Sequence, residues 1–184
     1  MSVRCARSVS GIYDGRMSLE KPRQVQQPAF VLHSYPYRET SLLVEVFTRA
    51  HGRLVVVARG ARRPRSVMRG SLLAFQPLLI AWSGKGEVRS LHSAEWQGGQ
   101  PLLSGDALLC GFYLNELMIK LLPREDAHEQ LYDNYESALQ RLAAEPDSAP
   151  ILRGFEKRML KELGYALDLE RESASGASVV ADRL

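Results

Sequence analysis

Cysteine is scarce in this chain of 184 residues: there are two, Cys5 and Cys110. They lie far apart, one in a polar N-terminal stretch and one in an apolar helical pattern. Neither belongs to a CxxC pair, which excludes a zinc ribbon, a dithiol redox motif and a disulfide framework. Cys110 reads as a small buried hydrophobe. Long apolar runs are missing too. None reaches the roughly 18 to 20 residues that cross a bilayer, and no secretory signal opens the sequence, so a cytoplasmic protein with no membrane contact is expected. His33, His51 and His92 are isolated, and Ser83-Gly84-Lys85-Gly86 lacks the spacing of a phosphate-binding P-loop. No nucleotide-hydrolysis site is visible, and the expectation is a protein that is not an enzyme.

The most informative absence is of acidic residues. No Asp or Glu occurs between Glu45 and Glu87, and that gap holds Arg49, Arg53, Arg59, Arg62, Arg63, Arg65, Arg69 and Lys85. From Asp106 onward acids outnumber bases, so the formal net charge of +3 conceals a strong asymmetry. One half is suited to a polyanion and the other to a different task.

What is present begins as short runs of Val, Leu, Phe and Thr broken by Gly, Pro and polar clusters. Five strands are predicted, over Ala29–Ser34, Ser41–Thr48, Arg53–Arg59, Leu72–Trp82 and Glu87–Ala94. His51-Gly52 and Ser83 to Gly86 mark hairpins, and Pro77 implies a bend, bulge or edge within the fourth run. Five strands in so short a span suit a small barrel, of which the OB-fold is the commonest nucleic-acid-binding form. After Gln97 to Pro101 the period changes to about 3.6. A first helix, capped by Ser104 or Asp106, is expected to present one largely apolar face of Leu108, Leu109, Phe112, Tyr113, Leu117 and Leu121, interrupted by Glu116 and Lys120. A second starts near Asp126, which has capping-box spacing with Glu129, and runs to Ala144; a third runs from Pro150 to Leu163 and stops at Gly164. The class is therefore α+β: an OB-fold barrel over residues 28–97 and an α-helical domain over 102–172. Residues 1–27 read as a flexible tail and 173–184 as a disordered one.

Arg59-Gly60-Ala61-Arg62-Arg63-Pro64-Arg65, followed by Arg69, is the strongest functional signal. Guanidinium forks match phosphate oxygens, glycine lets the backbone approach closely, and contacts to several phosphates give salt-dependent affinity with little sequence preference. Tyr35 and Tyr37, read as turn residues, are candidates to stack on bases, with core packing as the alternative. Phe47, Phe75 and Trp82 read as core or barrel-end residues. Glu125 and His128 have the Glu-x-x-His spacing of di-iron bundles, but no second copy exists. With Asp126, Glu129, Asp133 and Glu136 they read as a solvated acidic face. The helical half also has an aromatic and Met content, including Met118 and Met159, that suits a groove for a partner peptide.

The stretches Ala29-Phe-Val-Leu-His-Ser34, Glu39-Thr-Ser-Leu42, Val46-Phe-Thr48 and Gly60-Ala61-Arg62 resemble the opening of proteins of the RecO family. The likeness continues through Gly84-Lys-Gly-Glu87, Tyr113-Leu-Asn-Glu-Leu117, Phe155-Glu156 and Leu163-Gly-Tyr165, in the same order, and covers roughly residues 28 to 170. The resemblance implies an OB-fold followed by helices and a recombination mediator. Such a protein binds single-stranded and duplex DNA, anneals complementary strands and, with RecR, helps load RecA onto strands covered by single-strand-binding protein. It assigns DNA contact to Arg59, Arg62, Arg63, Arg65 and Arg69, together with Arg38 and Lys85; Tyr37 joins them as the stacking candidate. It also implies that the helices receive the acidic, hydrophobic tail of single-strand-binding protein. Some members carry four zinc-binding cysteines after the Leu-Gly-Tyr segment; none follows Cys110 here, so no zinc or other cofactor is expected. Relatives usually continue with further helices, so a shortened C-terminus is expected. The alternative reading is an interaction adaptor whose barrel docks acidic partner proteins.

Overall fold

The computed structural model describes residues 26–165. The tails expected over 1–27 and 173–184 fall, apart from residues 26 and 27, outside that range. Five strands, β1 (Gln27–Tyr37), β2 (Ser41–Thr48), β3 (Gly52–Ala58), β4 (Pro77–Ser83) and β5 (Val88–Trp96), close into a barrel in the order β1-β2-β3-β5-β4. The β3–β5 contact is parallel and the others are antiparallel. A single short turn of helix, α1 (Met68–Ser71), lies between β3 and β4. This is the strand order of an OB-fold. Three helices follow: α2 (Gly105–Leu121), α3 (Glu129–Ala144) and α4 (Ala149–Glu162).

Alternation along the strands builds two cores from one sheet. Val44, Val46, Leu54, Val56, Leu78 and Ile80 fill the barrel. The opposite face turns Phe30, Leu32 and Phe47 onto the helices, where they join Leu114, Met118, Tyr132, Tyr135 and Phe155. Phe30 meets the ring of Tyr135 edge-on at 5.2 Å, and Phe47 lies 5.6 Å from Tyr132. Burying each such ring contributes roughly 1.5–3 kcal/mol, so barrel and helices stabilise one another across this layer.

Several elements differ from the expectation. β1 runs on to Tyr37, so Tyr35, Pro36 and Tyr37 pair with Leu43, Leu42 and Ser41, and the turn falls at residues 38–40. Cross-strand pairing with an apolar β2 overrides the turn signal of the proline, which is tolerated at a strand end. The fourth run divides: α1 and a connector occupy residues 68–76, and Pro77 opens β4, where its missing N–H costs nothing to the ladder. The Asp126 capping box does not form. Instead α3 starts at Glu129, because residues 124–126 run alongside the start of β3. There Glu125 donates its backbone N–H to the Arg53 carbonyl at 2.9 Å. Gly52 makes that approach possible: its φ is +65°, and a Cβ there would overlap the Asp126 carbonyl oxygen.

The expected apolar face of α2 is largely its outer one. Gly111, Leu114, Asn115 and Met118 are buried, whereas Leu109, Phe112, Tyr113 and Leu121 are exposed. The buried side depends on a glycine, which lets the helix press onto Leu103 and Phe75, and on an amide with two specific partners. Neither registers as apolar in a periodicity reading.

Candidate nucleic-acid interface

The β1–β2 turn and the loop after β3 are joined at one end of the barrel by Arg62. Its backbone N–H donates to the Thr40 carbonyl at 2.9 Å, and its guanidinium lies 3.4 and 3.3 Å from the carbonyl oxygens of Arg38 and Glu39. The loop itself is a succession of tight turns. Gly60 adopts φ +69°, Arg63 N–H donates to the Gly60 carbonyl at 3.0 Å, and Ser66 N–H donates to the Arg63 carbonyl at 3.0 Å. Turns this close together leave little room for side chains inside, so Arg59, Arg62, Arg63 and Arg65 all project into solvent. Arg38 occupies the left-handed region at φ 52°, unusual for a residue with a Cβ, and its guanidinium carbon lies 5.3 Å from the Tyr37 ring centroid.

Between these loops and the start of β5 lies a cleft of about 440 Å³, lined among others by Tyr37, Arg38, Arg59, Gly60, Val88 and Arg89. Of the eight residues expected from sequence, the structure brings Tyr37, Arg38 and Arg59 into this lining, with Arg62 bracing its wall. Arg63 and Arg65 continue along the same loop. Lys85 lies in the β4–β5 turn that leads into Val88, and Arg69 lies on α1. All eight are exposed. Tyr37 sits at the end of a strand rather than in a turn, and is still 37% accessible.

Arg89 was not evident from the sequence. It is mostly buried, pairs with Glu125 at 2.9 Å and lines the cleft, but in sequence it is one polar position in an alternating strand. Conversely, Arg49 and Arg53 belong to the same acid-free run yet turn toward the helices. Arg49 pairs with Asp133 at 3.0 Å, and Arg53 with buried Glu45 at 3.0 Å. The acidic face expected to be solvated is thus partly an interface: Glu129 also faces Arg49, at 3.7 Å. Glu125 and Asp126 precede α3, and His128 lies 3.4 Å from Asp126 and 3.9 Å from Glu162. No group of three or more His, Cys, Asp or Glu among the described residues is placed to hold a metal ion.

The cleft can hold phosphate oxygens by arginine forks, and Tyr37, with Arg38 over its ring, stands beside them. No helix among the described residues is long and apolar enough to cross a membrane.

Residues 21–99 match the family model described as Recombination protein O N terminal, and residues 102–183 match Recombination protein O C terminal. The DNA repair protein RecO of Nitrosospira multiformis is 60% identical over 163 residues, spanning 89% of this chain and 67% of the relative. That of Dechloromonas aromatica is 64% identical over 150 residues, spanning 80% and 62%. That of Aromatoleum aromaticum is 59% identical over 160 residues, spanning 87% and 66%. The chain thus spans about two thirds of the length of these curated relatives, and 54% of one from Paraburkholderia xenovorans.

Proposed function

The chain belongs to the RecO family, and from that premise we propose that it is a DNA-binding mediator of repair and recombination that works by positioning strands rather than by catalysing a reaction. The observation that carries the reading is the arginine cleft. Two loops distant in sequence are tied together by Arg62 so that Arg38, Arg59 and Arg89 share one lining with Tyr37. Cations spaced along a groove offset the repulsion between two complementary strands while leaving base edges free to pair, which is what annealing requires. Family membership supports single-stranded and duplex DNA, RecR and the tail of single-strand-binding protein as partners, with RecA reached indirectly.

Annealing of complementary oligonucleotides, followed across a salt series, tests this. Annealing that falls steeply with salt, without nucleotide turnover, is expected, and replacing Arg62, Arg63 and Arg65 by Ala abolishes it. A folded chain that does not anneal, or a triple variant that anneals like the parent, would overturn the reading. Tighter binding of acidic peptides than of DNA at physiological salt would favour an adaptor instead.

A further inference from the structure

A second concavity, away from the arginine cleft, lies where α1 and the connector after it meet the end of β5. Its volume is about 520 Å³, and it is lined among others by Gly70, Leu73, Gln76, Trp96, Gln100 and Leu102. Small-molecule pockets span roughly 300–1,000 Å³, so this one has the size of a ligand site. Three observations give it a chemistry.

The first is the indole. Trp96 is 60% exposed although it ends a strand, and its Nε1–H donates to Gln76 Oε1 at 2.9 Å. The ring is therefore held by its edge while its face stays open. The second is a pair of amides. The indole N–H can only donate, so the atom it meets on Gln76 must be the carbonyl oxygen, and the other terminal atom must be the NH2 group. That nitrogen is buried and has no partner among the described residues; the same is true of Gln100 Nε2. Gln76 and Gln100 are 3% and 7% accessible. Both nitrogens lie beneath the pocket surface rather than on it, so the amides fix the indole edge and the floor, and a ligand meets the ring and the apolar side chains. The third is charge. No acidic side chain among the described residues lines the pocket, and exposed Arg69 immediately precedes Gly70 of its lining.

We propose that this pocket receives one unstacked base of a bound DNA strand, stacked face against Trp96 with the apolar side chains of Leu73 and Leu102 beside it. This inference rests on the reading of the chain as a DNA binder. All four bases have a π-face, so the pocket tolerates any sequence. Arg69 takes the adjoining phosphate. The site thereby holds a strand by its base in a region separate from the cleft that holds it by its phosphates.

The test uses the full chain with an oligothymidylate and with an oligomer of equal length and charge whose internal residues are abasic. Base stacking is worth enough that Trp96→Ala weakens oligothymidylate binding about tenfold. The slope of affinity against salt stays unchanged, because every phosphate contact remains. Trp96→Phe keeps most of the affinity. Oligothymidylate quenches the parent's tryptophan fluorescence, the abasic oligomer does not, and the quenching disappears in Trp96→Phe. Were Trp96→Ala to misfold, the abasic comparison and the Phe variant would still decide. Equal binding and equal quenching by both oligomers would overturn this proposal while leaving the DNA-binding reading intact. No binding of either at low salt would overturn both. Quenching by an extended apolar peptide but not by oligothymidylate would show the pocket to be a peptide site.

Discussion

Asn115, buried on α2, donates its side-chain amide to the backbone carbonyl of Leu32 in β1 at 2.8 Å. The register of β1 against β2 shifts between Val31 and His33, so Leu32 is the bulged residue and has no place in that ladder. Asn115 supplies what the bulge removes, and its own carbonyl oxygen accepts from the Tyr135 hydroxyl on α3. One amide thus joins the barrel to two helices. Replacing it leaves a buried carbonyl and a buried hydroxyl without partners, so Asn115→Ala is expected to cost about 2–4 kcal/mol, and Tyr135→Phe only about 1 kcal/mol. Urea unfolding of the three proteins measures both, and equal losses in the two variants would argue against this shared role.

A second tie between barrel and helices is ionic. Arg53 is 11% exposed, pairs with Glu45 (8%) at 3.0 Å, and donates through Nε and Nη2 to the Leu122 carbonyl at 3.2 and 2.9 Å. Arg124 reaches the other oxygen of Glu45 at 3.3 Å. Removing one partner of a buried pair strands the other, at about 3–5 kcal/mol. Since Arg124 remains beside Glu45, Arg53→Ala should fall near the lower end, about 3 kcal/mol, and the double change with Glu45→Ala should cost less than the sum. Additivity in that double-mutant cycle would show that the pair contributes nothing.

The strands were largely legible because a barrel wall needs alternation, and Val44, Val46, Leu54 and Val56 provide it. Long-range pairing was not: Tyr35 and Tyr37 look like turn residues until Leu43 and Ser41 are seen opposite them. The buried face of α2 escapes a periodicity reading for a related reason. Gly111 and Asn115 owe their burial to a close approach and to the bulge at Leu32, neither of which has a hydrophobicity. In the site, the run of arginines was plain, but its division was invisible, since only the fold sends Arg59 and Arg62 to solvent and Arg53 to Glu45. Arg89 and Trp96 gain significance only from what lies beside them.

Stability should fall at both ends of the pH range, for different reasons. Burial pushes the Glu156 carboxyl up, but hydrogen bonds from Tyr113 at 2.7 Å and Arg153 at 2.6 Å outweigh it and hold the group below the usual carboxylate range. A depressed folded value means the contribution is present above the ordinary value of 4.5 and is lost as pH falls through the folded one. Because Arg153 is largely exposed, Glu156→Gln should remove under ~1 kcal/mol of that acid dependence. At the other end, burial raises the phenols of Tyr135 and Tyr132 far above their ordinary 10.0. A raised folded value means the contribution is complete below pH 10 and is lost as pH rises further. Denaturant midpoints recorded from acid to alkaline pH should form a dome. Glu156→Gln should flatten its acid limb and Tyr135→Phe its alkaline limb; unchanged limbs in both variants would contradict the assignment.

Within the arginine cleft, Arg59 and Arg62 should separate a charge from a brace. Arg59 is exposed and lines the cleft, so under the proposed function Arg59→Ala should remove one phosphate contact and little else. For single strands, removing one phosphate contact makes the slope of log affinity against log salt less negative by about 0.7, with stability unchanged. Arg62 also reaches the carbonyls of Arg38 and Glu39, so its removal frees the β1–β2 turn from the loop after β3. Arg62→Ala should therefore lose more affinity than its slope change accounts for, because Arg38 and Tyr37 are no longer held in place. Arg62→Lys separates the two roles: it restores the charge, hence the slope, while its single ammonium replaces the planar fork poorly, so part of the affinity stays lost. Fluorescence anisotropy with a labelled oligothymidylate at several salt concentrations reads both quantities. If Arg59→Ala and Arg62→Ala both leave the slope at its parental value, the phosphates pass elsewhere on the barrel and the cleft is not their path.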